Sequence, residues 1–319
     1  MPEVISLGEA LIDFVSTQSG VDVKDAPGFL KAPGGAPANV AVALSRLGVD
    51  TGFIGKVGDD PFGRFLAEVM ALHRVDVSRV RFSKQARTAL AFVSLRADGE
   101  RSFSFYRHPS ADMLLAPSEI EEGYVASARI LHFGSISLIS EPSRSATLRA
   151  IEYARRHAVL VSYDPNLRLN LWDDEDQART QMRAALPLAH VLKVNDDELA
   201  FLTGERDLES GSRALLSQGP GMVVVTLGAD GCFFSNGRQS LRVPGVRVKA
   251  VDTTGAGDAF WAAVLWGLLE PLRQGRDLAA LTAQEMRPIL QRANRAGALT
   301  TTRKGAIPAL PTLEDLRTP

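Results

Sequence analysis

Asp252-Thr253-Thr254-Gly255-Ala256-Gly257-Asp258-Ala259-Phe260 leads straight into an apolar run ending at Leu269, and the whole reads as a tight turn feeding a buried helix. Small residues let successive backbone N–H groups converge, and the helix adds the positive end of its dipole, so the turn is built to hold an anion. Asp258 lies at that site, where a carboxylate repels phosphate unless it has its own task. General base is the task that fits: taking the proton of a hydroxyl that attacks a phosphoryl group held by the neighbouring N–H groups. An Asp that merely offsets unsatisfied N–H groups at a helix start is the competing reading.

Working outward, the rest of the 319-residue chain has the composition of a soluble globular enzyme, 45% apolar and 23% charged. A net charge of −1 with no basic block argues against nucleic acid or an anionic membrane as partner. The lone Cys232 excludes an internal disulfide and a cysteine zinc site, and fits a reducing cytoplasm. Glu9 and Asp13 interrupt the first apolar run, so a signal peptide is not expected, and no run approaches the roughly 18 residues that span a bilayer.

Val4–Leu7 reads as a core strand, followed by a helix over Asn39–Leu47, a strand over Thr51–Val57 and a helix over Phe62–His73. The rhythm then breaks. Ala89–Arg96 and Arg101–Arg107 alternate as two strands around an Asp98-Gly99 hairpin turn. Beyond it, strands are expected at Ile130–Phe133, Val159–Tyr163, Val191–Val194 and Met222–Thr226, with helices at Ser143–His157, Glu175–Leu186 and Asp196–Leu202. Fully apolar strands alternating with helices imply a parallel sheet covered on both faces. The hairpin, with the segment after Asp13, is then a β excursion that can cover a site at the carboxyl ends of the strands.

Other clusters join Asp258 near such a crevice. Gly34-Gly35-Ala36-Pro37-Ala38-Asn39 opens a helix, where small residues admit a ligand to the backbone and Asn39 can bond hydroxyls; a tight turn with an ordinary cap is the alternative. Asp13 is suited to gripping two hydroxyls, or is an exposed loop acid. Asp164-Pro165-Asn166-Leu167-Arg168 and Asn195-Asp196-Asp197-Glu198 end consecutive strands. Asn195 and Glu198 can hold a hydrated magnesium ion, or form a capping box. Gly228, after Thr226, lets a nucleotide lie on the backbone. The chain has no Walker loop, protein-kinase motif set, His-Glu-x-x-His or Gly-x-Ser-x-Gly, and its five histidines lack metal-ligand spacing.

In this order the clusters resemble the ribokinase-like (PfkB-type) family of carbohydrate kinases, from Gly8 to Thr300-Thr301-Thr302-Arg303-Lys304-Gly305-Ala306. The two signatures are Gly34 to Asn39 and Asp252 to Asp258. Within the family, Phe105-Tyr106-Arg107, Ser110 to Leu114, Asp164 to Arg168 and Leu199 to Gly204 are most similar to fructokinases. The resemblance implies one domain over 1–319, a three-layer α/β/α sandwich with a mostly parallel central sheet and a small β lid from about 12–33 and 88–108. It implies ATP-dependent phosphorylation of a sugar, with Asp258 as base and the N–H groups of Gly255, Ala256 and Gly257 as anion hole. Asp13, Gly34, Gly35 and Asn39 would grip the sugar, with Arg107 and Arg168 serving substrate or phosphate. Asn195, Thr226, Gly228 and Asn294 would border ATP, Asn195 and Glu198 would serve Mg²⁺, and Asp252, Thr254 and Gly305 would form a K⁺ site. Paired lids from two subunits occur in relatives, so the resemblance also allows a homodimer through the lid. A related 2-keto-3-deoxygluconate kinase, with Arg107 meeting a substrate carboxylate, is the nearest alternative, and a non-catalytic sugar- or nucleotide-binding regulator is another.

Overall fold

The computed structural model describes residues 1–95 and 101–317, which leaves Arg96 and the expected Asp98-Gly99 turn outside the described residues. In chain order its strands are β1 (Val4–Leu7), β2 (Leu11–Ser16), β3 (Phe29–Gly34), β4 (Thr51–Gly58), β5 (Asp76–Ser83), β6 (Leu90–Leu95), β7 (Arg101–Tyr106), β8 (Ile130–Gly134), β9 (Leu160–Asp164), β10 (Val191–Asn195), β11 (Met222–Thr226), β12 (Cys232–Ser235) and β13 (Ser240–Val243). The helices are α1 (Ala36–Arg46), α2 (Pro61–Leu72), α3 (Glu122–Ala126), α4 (Ser143–Arg156), α5 (Glu175–Ala185), α6 (Asp196–Thr203), α7 (Leu208–Leu216), α8 (Ala256–Arg273), α9 (Ala283–Thr300) and α10 (Leu313–Arg317).

Nine strands form the central sheet in the order β13-β12-β11-β10-β9-β8-β1-β4-β5. From β11 to β5 all neighbours are parallel, while β12 and β13 close one edge antiparallel. The parallel sheet expected from the sequence is therefore a mostly parallel one. Its central strands are mostly apolar because alternate residues serve opposite faces, both of them covered. In β11, Met222 and Val224 join one core with α1, α8 and α9, while Val223 and Val225 join a second core with α4 and α5. β1 does the same, with Val4 in the first core and Ile5 and Leu7 in the second. In the first of these cores α8 is buried nearly all round from Asp258 to Leu269, and a side chain at Gly267 would strike Ile289 of α9 at 2.6 Å.

Neighbouring strands on the two sides of β1 come from different parts of the chain, β4 on one side and β8 on the other. That reversal of strand order opens a crevice at the carboxyl ends. Beside it lies a four-stranded sheet, β3-β2-β6-β7, built from the two segments the sequence set apart from the α/β rhythm. β6 and β7 pair antiparallel as expected, and β2 runs parallel to β6. Two devices fasten this sheet to the main body. Asp60, the cap of α2, accepts bonds from the Thr88 N–H and hydroxyl, each at 2.8 Å. Phe14 of β2 meets Phe62 of α2 edge-on at 5.8 Å and stacks on Phe92 of β6 at 5.0 Å. Among the described residues no helix is long and apolar enough to cross a membrane.

Candidate active site

Gly255 caps α8 in the left-handed region (φ 78°), where a side chain would also strike Ala306 Cβ at 2.8 Å, so glycine is required on both counts. This turn sets Asp258 in the first turn of the helix, buried. Its Oδ2 accepts a hydrogen bond from Asn39 Nδ2 at 2.8 Å, a contact between residues 219 apart in the chain. The two signature stretches are thus one site. Burial pushes the Asp258 carboxyl up to about 6; the Asn39 bond opposes this, Asp164 adds to it, and the charges of Lys193 and Arg168 oppose it. Burial thus makes it a stronger base than an exposed carboxylate. Of the three expected anion-hole donors, the Ala256 N–H also closes the turn on the Thr253 carbonyl at 3.3 Å.

Lys193, which sequence reasoning missed, lies beneath this turn. Its ammonium donates to both Asp164 oxygens, at 2.9 and 3.1 Å, and a Cβ on Gly257 would lie 3.2 Å from it. Burial alone would lower its pKa, but Asp164, Glu198 and Asp258 outweigh burial and raise it, so the lysine stays charged. The available signal was one cation inside the apolar strand Val191-Leu192-Lys193-Val194, which must find a carboxylate when buried.

The Gly34-Gly35 turn joins β3 to α1. A side chain at Gly34 would collide with the Asp13 carboxylate, and one at Gly35 (φ 102°) with the Glu9 carbonyl. The chain can pass between Asp13 and the end of β1 only without side chains. Asn39 is buried one turn into α1, and its Oδ1 has no partner. Arg107, at the end of β7, is buried and held by Asp112, with Nε at 2.8 Å and Nη2 at 2.5 Å from Oδ2. Arg168 is half-buried, near enough to bias Asp258, and its Nη1 donates to the Leu167 carbonyl at 2.8 Å.

On the other side of the α8 turn is a mostly apolar cavity of about 430 Å³. Thr226, Gly228 and Asn294 border it, as do Ala256 and Gly257 of the α8 turn. Asn294 is itself a brace: its Nδ2 donates to the Val243 and Pro244 carbonyls at 3.3 and 3.0 Å. Asn195 lies apart from the cavity lining, at the start of α6.

Asn195 and Glu198 form the capping box that the sequence left as an alternative. Asn195 Oδ1 accepts the Glu198 N–H at 2.7 Å, and Glu198 Oε2 accepts the Asn195 N–H at 2.8 Å. Glu198 Oε1 accepts the Leu167 N–H at 2.7 Å, joining consecutive strand ends. Among the described residues no cluster of three or more carboxylate or histidine side chains is placed to hold a metal ion directly, so Asn195 and Glu198 would reach one only through water. Asp252, Thr254 and Gly305 also converge. One Asp252 oxygen accepts from the Thr254 N–H and hydroxyl at 2.9 and 2.7 Å, the other from the Gly305 N–H at 2.8 Å.

Comparison with known proteins identifies the likeness. The pfkB family carbohydrate kinase model matches residues 1–313. Fructokinase-2 of Solanum lycopersicum is 49% identical over 99% of this chain and 95% of its own length. The fructokinase of Xylella fastidiosa, solved with bound ATP, is 34% identical with a TM-score of 0.89, covering 99% of this chain and 97% of that one. A double mutant of the fructokinase of Vibrio cholerae O395, solved with fructose, ADP and a potassium ion, is 37% identical with a TM-score of 0.86, covering 99% and 97%.

Proposed function

The chain belongs to the pfkB family of carbohydrate kinases, and from that premise we propose that it transfers the γ-phosphoryl group of ATP to fructose, giving fructose 6-phosphate and ADP. The observation that carries the reading is the 2.8 Å bond from Asn39 to Asp258, which brings a sugar-side turn and a buried base together at the helix start bordering the large cavity.

In this reading Asp13, Gly34, Gly35 and Asn39 orient the sugar, and ATP occupies the cavity bordered by Thr226, Gly228 and Asn294. Asp258 takes the proton of the attacking hydroxyl as the new P–O bond forms and the bond to ADP breaks. Its elevated basicity suits a base that works near neutral pH. The α8 N-terminus at Gly255, Ala256 and Gly257, the Lys193 ammonium below it and Arg168 meet the charge of the transferring group. Asn195 and Glu198 would hold Mg²⁺ through water, and the ion would neutralise phosphate charge when bound. Asp252, Thr254 and Gly305 would serve K⁺, which would act on the geometry of the α8 turn. The small sheet covers the crevice as a lid and keeps water from the phosphoryl group; the exposed Tyr106, on the sheet's opposite face beside Phe92, offers a surface for a second copy. A cytoplasmic setting fits the single buried Cys232.

The acidic-sugar reading is not favoured. Asp112 already neutralises Arg107, the cation that would have met a substrate carboxylate. ADP release with ATP, magnesium and either fructose or 2-keto-3-deoxygluconate decides between them: turnover of fructose is expected, and turnover of the keto acid alone overturns the assignment.

A further inference from the structure

A second cavity, of about 420 Å³, opens at the pole of the sheet opposite the crevice. Leu160, Val191 and Gly221 border it, at or just before the first residues of β9, β10 and β11. The last residues of the same strands, Asp164, Asn195 and Thr226, stand at the crevice end. A cavity of this size can take a small molecule, and no residue of the proposed active site lines it.

Its polar lining is basic. Arg155, in the last turn of α4, borders it together with His190 and Arg276. The other arginines of α4 each have a carboxylate: Arg144 pairs with Glu141, Arg149 with Glu152, and Arg156 with Glu122 and Glu152. Arg155 pairs with none among the described residues. His190 Nδ1 accepts the Val161 N–H at 2.8 Å, so the neutral ring carries its proton on Nε2 and offers a donor. Partial burial first, and then the Arg155 charge, hold this imidazole below its ordinary range. Arg276 gives Nη2 to Glu285 at 2.6 Å. The carboxylate on the lining, Asp277, accepts the Ala279 N–H at 3.0 Å and pairs with neither arginine among the described residues.

An uncompensated guanidinium beside an N–H donor, both on one cavity, suits an anion. A carboxylate has two oxygens, and one guanidinium fork takes both; a phosphoryl group keeps a third oxygen for His190. We propose that this cavity binds a small phosphate monoester, with Arg155 and His190 on its phosphoryl oxygens. Val159 and Leu278, also on the lining, would meet the carbon body of the ester. The site stands apart from the ATP cavity and does not depend on which sugar the active site takes.

The test is a titration of the purified chain with inorganic phosphate and with glycerol 3-phosphate, at ionic strength held constant with chloride. The readout is the His190 Cε1–H resonance in proton–carbon correlation spectra, identified by its loss in His190→Gln. His190 lies at the far end of the sheet from the α8 turn, so phosphate held at that turn does not move this resonance. A saturable shift is expected with both probes, with the ester binding at least as tightly as inorganic phosphate. Arg155→Met should weaken both by at least about tenfold, as for a lost hydrogen bond between charged groups. Arg155 is exposed, so this variant should melt as the wild type does. No saturable shift, a shift that chloride alone reproduces, or binding unchanged in Arg155→Met would overturn the proposal. Tighter binding of inorganic phosphate than of the ester would overturn the monoester assignment.

Discussion

Replacing Asp258 by Asn removes the base and, at the same time, a buried charge, so activity and stability should move in opposite directions. The carboxyl is raised from its ordinary 3.8 to about 6, chiefly by burial. At pH 8 the group is ionised in both folded and unfolded chains, and the folded state bears a penalty of about 3 kcal/mol for that displacement. The sign follows from the direction: a carboxyl raised by folding destabilises above its folded value. The penalty fades as pH falls from about 6 to about 4 and is gone below the ordinary value. The amide introduced by Asp258→Asn still offers Asn39 a polar group, so most of the penalty should be relieved without a new orphan. Differential scanning fluorimetry should therefore show a higher Tm for Asp258→Asn at pH 8 and a difference that shrinks towards about pH 4. Turnover measured by ADP release should fall about a hundredfold to ten-thousandfold, the range for a positioned general base, while ATP binding by calorimetry persists. Near-normal turnover would remove Asp258 as base. A lower Tm at pH 8 would refute the claim that its burial is a cost the fold bears.

Lys193→Met should destabilise the fold by about 3–5 kcal/mol in urea titrations, because it leaves the buried Asp164 without its ion-pair partner. It should also move the acid limb of the kcat/KM profile to higher pH, since Lys193 holds Asp258 down; an unmoved limb would separate the two residues. Gly35→Ala places a side chain against the Glu9 carbonyl at φ 102°, and should raise KM for the sugar far more than KM for ATP. Exchange of potassium for tetramethylammonium should slow turnover if Asp252, Thr254 and Gly305 serve the ion, and an unchanged rate would discard that site.

Both signatures were legible because each is a local device: a turn needing glycine, then a helix start. The strands of the central sheet were legible for a similar reason, since Val4–Leu7 and Met222–Thr226 are short, mostly apolar runs. What the sequence hid depends on distant partners. β5 is a mixed polar strand, mostly half-buried at the edge of the sheet, and β12–β13 is a short hairpin, so neither has the apolar signature of the central strands. Glu9 reads in the sequence as an interruption of an apolar run, and Lys193 as a stray charge. Only the fold brings the Ala36 N–H to one and Asp164 to the other. The basicity of Asp258 likewise depends on α8 being enclosed by α1 and the sheet, which no single stretch encodes.

The central claim is that this site phosphorylates a neutral sugar from ATP. Its most direct test is ³¹P and ¹H NMR of the products formed from fructose, ATP and magnesium with the purified chain. The account predicts ADP together with a phosphate ester whose phosphorus couples to the C6 protons of fructose. ADP with free phosphate and unmodified sugar, or an ester at another carbon, would contradict it.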